Sequence, residues 1–298
     1  MIYKTNTVSL FVVDMRKAAG FIRLIRLVNC LMMGFAVIVG ALIAAQGFMT
    51  ECNFTKLALS FITAFTLTGA SMAINDYYDR DIDAVNEPSR PIPSGLIKPI
   101  ESLVIAAFLA LTGLTAAILT SPLCLLIAIL SWITSVTYST VGKRTGLPGN
   151  ILVSACISLP FIYGGAALSG TIEPNTMFFA ALAFLANTGR EITKGIVDME
   201  GDKIRGIRTL AISCGAKKAA YAASAFYLSA VLLSPLPAIL GLMHLWFIPP
   251  VTIADIGFII SSASLLKKHT RDNAKRIKNT ILIWMMLGLI AFMAGTIK

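Results

Sequence analysis

The chain is built from apolar blocks of about 20 residues, each long enough to cross the hydrocarbon core of a bilayer as a helix. Lipid offers no hydrogen-bond partners to bare backbone groups, so blocks of this kind must become helices. The pattern predicts nine spans, over residues 27–48, 54–75, 101–119, 122–140, 150–168, 175–195, 219–240, 247–266 and 280–297. Composition agrees: 56% of the residues are hydrophobic and 13% are charged, against about 25% charged in soluble domains. The expected fold is all-α, a polytopic bundle of nine transmembrane helices capped on the cytoplasmic side by loops and short helices.

A net charge of +10 could suggest nucleic acid as a partner. The placement of the basic residues argues for membrane lipids instead. With the N-terminus inside, only Lys56 and Lys298 among the lysines and arginines fall outside, the bias that orients membrane proteins. The expectation is an integral protein of the cell membrane, with the N-terminus and the functional side cytoplasmic and the C-terminus outside. The basic run "KKHTRDNAKRIK" reads as a topology and anionic-lipid anchor. Residues 1–22 contain Asp14 and lack a signal peptide's cleavage pattern, so they read as an amphipathic segment on the inner membrane face. No linker or low-complexity tract divides residues 1–298, which read as one domain. The five cysteines show no CxxC spacing and have no histidine nearby in sequence, so they read as reduced packing residues.

Outside connections are short and nearly uncharged, whereas two inside ones, 77–100 and 196–218, are crowded with charge. "NDYYDRDID" follows the second span and "GIVDMEGDKIRG" the sixth, each with carboxylates four residues apart, as in a distant internal repeat whose halves share one site. On a helix Asn75, Asp76, Asp79 and Asp83 share a face while Asp81 points away, and Arg190, Lys194, Asp198 and Asp202 align likewise, with Glu200 away. Like charges at this spacing repel and call for a cation. Hard oxygen donors suit Mg²⁺ or Ca²⁺, and without a Cys or His cluster zinc is disfavoured. Mg²⁺ takes a few carboxylates, its own waters and phosphate oxygens.

These residues carry a resemblance. "NDYYDRDID" fits N-D-x-x-D-x-x-x-D and "DMEGD" fits D-x-x-x-D, the two signatures of the UbiA superfamily of intramembrane prenyltransferases. "YSTVGKRTGLPGN" and "NEPSRPIPSG" resemble its Y-S-x-x-x-K-R and R-P stretches, and "RLIRLVN" its R-x-x-N. The order and separations agree over essentially the whole chain. The resemblance implies that Asn75, Asp79, Asp83, Asp198 and Asp202 are catalytic, with the four aspartates holding Mg²⁺, two ions bridged by diphosphate. It implies that Arg26, Asn29, Arg90, Tyr138, Ser139, Lys143, Arg144 and Lys194 bind the diphosphate of a prenyl diphosphate. Many members read K-D-x-x-D before the last acid, but here Gly195 follows Lys194. That form is similar to the archaeal ether-lipid branch, which implies geranylgeranyl transfer from geranylgeranyl diphosphate to a lipid-phosphate acceptor, geranylgeranylglyceryl phosphate.

On the acceptor side, Asp76 or Glu191 could take a proton, and Lys203, Arg205 and Arg208 could meet a phosphate, although orientation in the membrane explains those three equally well. Phe161 and Tyr163 could face an allylic cation, with packing the expected role. Asp255, inside the eighth span, reads as shallow or paired. An aromatic acceptor giving a quinone precursor is the alternative reaction. A secondary transporter is the alternative of another class, set against acids that cluster at helix ends and not at the bilayer midplane.

Overall fold

A computed structural model describes residues 16–45, 51–204 and 206–297, and among them the regular structure is entirely helical. Residues 1–15, most of the expected N-terminal segment, lie outside the described residues, as do Arg205 and Lys298.

Helix α1 covers residues 16–25 and breaks at Arg26 before α2 (Leu27–Ala45). Then come α3 (Glu51–Asn86), α4 (Pro99–Thr120), α5 (Pro122–Thr140), α6 (Leu147–Ser169) and α7 (Pro174–Val197). Two short helices, α8 (Met199–Ile204) and α9 (Leu210–Cys214), lead to α10 (Ala216–Leu233), one-turn α11 (Leu236–Ile239), α12 (Ile248–Lys267) and α13 (Arg271–Gly295). Proline at a first-turn position starts α4, α5, α6 and α7, where its missing N–H costs nothing. Ser121 closes α4 and opens α5, its Oγ accepting from the Cys124 backbone N–H at 3.1 Å.

Eight of these helical stretches are long and apolar enough to cross a membrane. Large side chains such as Phe108, Leu111 and Leu119 are about two-thirds exposed on their outer faces, as a lipid-facing surface requires. The remaining expected span, 175–195, the sixth in chain order, corresponds to α7. It has the length, but Asn187, Arg190, Glu191 and Lys194 lower its apolarity. Asn187, Thr188 and Thr193 on this helix are buried, so its polar groups are turned into the protein.

Two cores form. Val37, Leu67, Ala117 and Tyr163 belong to one made by α2–α6, and Ile192, Tyr227, Phe258 and Ile281 to another made by α7, α10, α12 and α13. Phe161, Phe179, Phe247 and Phe292 join them in an edge-to-face aromatic cluster. Along the first half, α2 and α6 cross backbone to backbone. A Cβ on Gly164 would lie 1.9 Å from the Val37 carbonyl oxygen, and one on Gly40 would lie 2.1 Å from that of Phe161. Only glycine permits this approach.

The first acidic motif is placed differently from the expectation. Residues 77–86 are not a loop, because α3 runs unbroken to Asn86. At 1.5 Å per residue its 36 residues extend about 54 Å, well beyond a hydrocarbon core of about 30 Å. The acids therefore ride a helix that projects past the apolar layer.

Candidate active site

Successive spans alternate in direction, so the end of α3, the α5–α6 turn, the α7–α8 junction and the α12–α13 turn all lie at one end of the bundle. Helical spacing puts Asp76, Asp79 and Asp83 on one face of α3, and each meets a cation from elsewhere in the chain. The Lys143 ammonium pairs with Asp79 Oδ1. Arg90 Nη1 donates to Asp83 Oδ2 at 2.6 Å and lies 3.5 Å from Asp76 Oδ1. Arg26 Nη2 donates to that same Asp76 oxygen at 2.8 Å. Asp81 points away as expected, 87% exposed beside Arg80.

Lys143 and Arg144 form the one-turn helix Gly142–Arg144 between α5 and α6. The turn is tight because Gly149 lies where a Cβ would be 2.2 Å from the Gly142 carbonyl oxygen. Gly146, at φ +72, presses against the Arg208 carbonyl, and Arg208 N–H reaches the Arg144 carbonyl at 3.5 Å. The segment after the second motif is thereby seated on the Lys143–Arg144 turn.

The second motif spans a helix break. Asp198 follows the last residue of α7 with φ −95 and ψ 6, its N–H still bonded to the Lys194 carbonyl, and the Asp202 N–H returns to the Asp198 carbonyl at 2.8 Å. One turn earlier Glu191, with a side chain only 12% exposed, is held by Arg190 at 3.1 Å and by Lys194 at 3.5 Å. Tyr138, near the C-terminal end of α5, lies within electrostatic range of Asp79, Glu191 and Lys194. Lys194 in turn feels Asp198. Ser139, beside Tyr138, is buried.

The remaining residues scatter around this line. Asn75 is partly buried one residue before Asp76, while Asn29 is exposed, its amide 3.8 Å from the Met72 sulfur. Lys203 and Arg208 are exposed, and Arg205 lies outside the described residues. Phe161 stacks edge-to-face on Phe179 and the Tyr163 hydroxyl donates to Thr63 Oγ1, so both pack the core. Ser234 and Asp255 pair at 2.6 Å near the opposite end of the bundle. Arg190, which spacing aligned with the second motif, is paired instead with its neighbour Glu191, and one partner was invisible to spacing arguments: Arg271, whose Nε donates to the Val197 carbonyl at 3.1 Å and ties α13 to the end of α7.

Among the described residues no three Asp, Glu, His or Cys side chains gather closely enough to hold a metal alone. The donor set fits a hard divalent cation carried with a phosphate-bearing ligand, because Mg²⁺ needs only one or two carboxylates when phosphate oxygens complete its shell. What the arrangement offers chemically is a row of carboxylates interleaved with lysines and arginines, suited to a magnesium-bound polyanion.

Comparison with known proteins points the same way. The model of the UbiA prenyltransferase family matches residues 33–293. Digeranylgeranylglyceryl phosphate synthase of Methanosarcina mazei is 38% identical over 285 residues, covering 92% of this chain and 97% of its own. The protein of the same name from Archaeoglobus fulgidus is 35% identical over 291 residues, covering 95% and 98%. A solved structure of a digeranylgeranylglyceryl phosphate synthase superposes with a TM-score of 0.85 at 33% identity, covering 94% of this chain and 99% of that one. A UbiA homolog from Archaeoglobus fulgidus, solved bound to GPP and Mg²⁺, shares the fold at a TM-score of 0.69 and 20% identity, over 92% of this chain and 99% of that one.

Proposed function

The chain belongs to the UbiA prenyltransferase family, an integral membrane enzyme, and on that footing we propose that it transfers a geranylgeranyl group from geranylgeranyl diphosphate to geranylgeranylglyceryl phosphate. The observation that carries this reading is the similarity, over nine-tenths of both chains, to proteins of that name. The site's charges suit the two substrates, each of which bears phosphate.

In this reading Asp79, Asp83, Asp198 and Asp202 hold Mg²⁺, two ions in all, and Asn75 lies beside them. The metal, when bound, neutralises charge on the diphosphate and makes it a better leaving group. Lys143, Arg144, Arg26, Arg90 and Lys194 surround the diphosphate, with Asn29, Tyr138 and Ser139 adding hydrogen bonds. Donors already fixed where negative charge grows stabilise the transition state at little reorganisation cost. The Lys143–Asp79 pair supports this, since it holds the lysine at the acids.

The bond from C1 of the prenyl chain to the diphosphate oxygen breaks, and the acceptor hydroxyl forms the new C–O bond. Its proton needs an acceptor. Asp76 and Glu191 are the carboxylates at hand, each already paired with two cations. Lys203, Arg205 and Arg208 meet the acceptor's phosphate. The site faces the cytoplasm, as the distribution of basic residues supports.

The test is direct. Purified protein in lipid nanodiscs receives radiolabelled geranylgeranyl diphosphate with geranylgeranylglyceryl phosphate, or with a hydroxybenzoate, in the presence and absence of Mg²⁺. Diether formation only with Mg²⁺ is expected. Transfer to the aromatic acceptor alone would replace the lipid reading with quinone-precursor synthesis.

A further inference from the structure

Asp76 differs from the other acids of its motif. Its side chain is 4% exposed and one oxygen, Oδ1, takes both Arg26 and Arg90. A carboxylate removed from water persists only when paired and hydrogen-bonded, and two guanidiniums drawn to one oxygen would repel one another without it. Arg26 is also the one non-glycine residue with positive φ among the described residues, at +52 in the break between α1 and α2. Such a conformation is unfavourable for arginine and is kept by the surroundings. The Arg26 guanidinium is hydrogen-bonded at 2.8 Å to Asp76, fifty residues away.

Both arginine side chains stay about one-third exposed, at 34% and 32%, and each guanidinium has five N–H donors, more than these carboxylates use. Arg90 also reaches Asp83, which lies on the face of α3 where Asp79 meets Lys143. The free donors of the two arginines therefore border the same row of charges.

We propose that Asp76 is a positioning residue. It holds Arg26 and Arg90 together as a preformed two-pronged clamp for a diphosphate, and it is neither the proton acceptor nor a metal ligand. This rests on the reading of the site as a diphosphate site. Removing the negative charge would by Coulomb's law alone tighten an anion, whereas losing the anchor would weaken it. The clamp requires that the anchor dominate, since a fork held in register loses less freedom on binding.

The experiment measures binding of inorganic pyrophosphate with Mg²⁺ by calorimetry, beside steady-state kinetics, in full-length protein. Asp76→Asn is expected to weaken pyrophosphate about tenfold and raise the KM for prenyl diphosphate to match, with kcat and the acceptor KM changed less than about threefold. In the Arg26→Gln background the same substitution is expected to cost less than about threefold, because part of its route is gone. Asp76→Glu, which keeps the charge and shifts both arginines, is expected to weaken pyrophosphate about threefold and serves if the asparagine variant does not fold. Unchanged or tighter pyrophosphate, or a fall in kcat with KM unmoved, overturns the proposal. Weaker pyrophosphate in a protein that makes no prenylated product would support the clamp and sink the proposed reaction instead.

Discussion

The end of α3 and the end of α7 look alike in sequence, each offering acids four residues apart, yet they are built differently. On α3 the acids ride one uninterrupted helix, and Asp76, Asp79 and Asp83 each find a cation on another segment. On α7 the helix stops at Val197, so that Asp198 occupies the break and Asp202 rides a helix of six residues, ahead of Gly206 at φ +67. Its lysine, Lys194, is turned back to Glu191 on its own helix. The first end is a continuous, charge-compensated rack, and the second is an arm bent at a helix break. Equal spacing in a sequence thus need not mean equal mechanics.

The comparison can be broken most severely with a chelator, which strikes both ends at once. Diether synthesis in nanodiscs is expected to fall below detection and to return with added Mg²⁺. Next come Asp79→Ala and Asp198→Ala, each expected to lower kcat/KM about a thousandfold, roughly 4 kcal/mol of transition-state stabilisation. A loss below about tenfold for Asp198→Ala, against a full loss for Asp79→Ala, would show that the jointed end lies outside the site. Lysines sharpen the contrast. Lys143→Met, which strips Asp79 of its cation, is expected to cost about 30-fold in kcat/KM, and Lys194→Met about fivefold because its ammonium is shared with Glu191. The smallest effect is expected from Gly201→Ala in α8, where an added methyl meets nothing within 4 Å. It should stabilise that helix by about 0.5–1 kcal/mol and, if the joint must give, lower kcat by about twofold, read in thermal unfolding and turnover respectively.

Much of this architecture was legible in the chain, because membrane spans announce themselves by length and apolarity. The facing of Asp79 and Asp83, and the outward turn of Asp81, followed from a helix's 3.6-residue period. What spacing could not reveal was contact between distant segments. Nothing in the sequence links Arg26 to Asp76 or Arg271 to Val197, since both depend on how helices stack. The continuation of α3 through "DYYDRDIDAVN" was hidden by its charge, which reads as loop in an apolar chain although the charged residues pair and the backbone bonds are all internal. Conversely, α7 looked like an ordinary span, but its buried polar groups, such as Asn187 bonded to Ser154 and Thr193 to Tyr227, make it the wall between the two cores.

The bare crossing of α2 and α6 has a consequence far from where it occurs. Where Gly40 and Gly164 rest on carbonyl oxygens, no side chain is available to roll or compress, so the first half of the molecule cannot slide along that seam without opening it. The gauge between the rack and the arm is consequently set partway up the bundle, like the pivot of a pair of tongs. A single methyl added at the pivot would be driven against a backbone carbonyl and would force the two helices apart there.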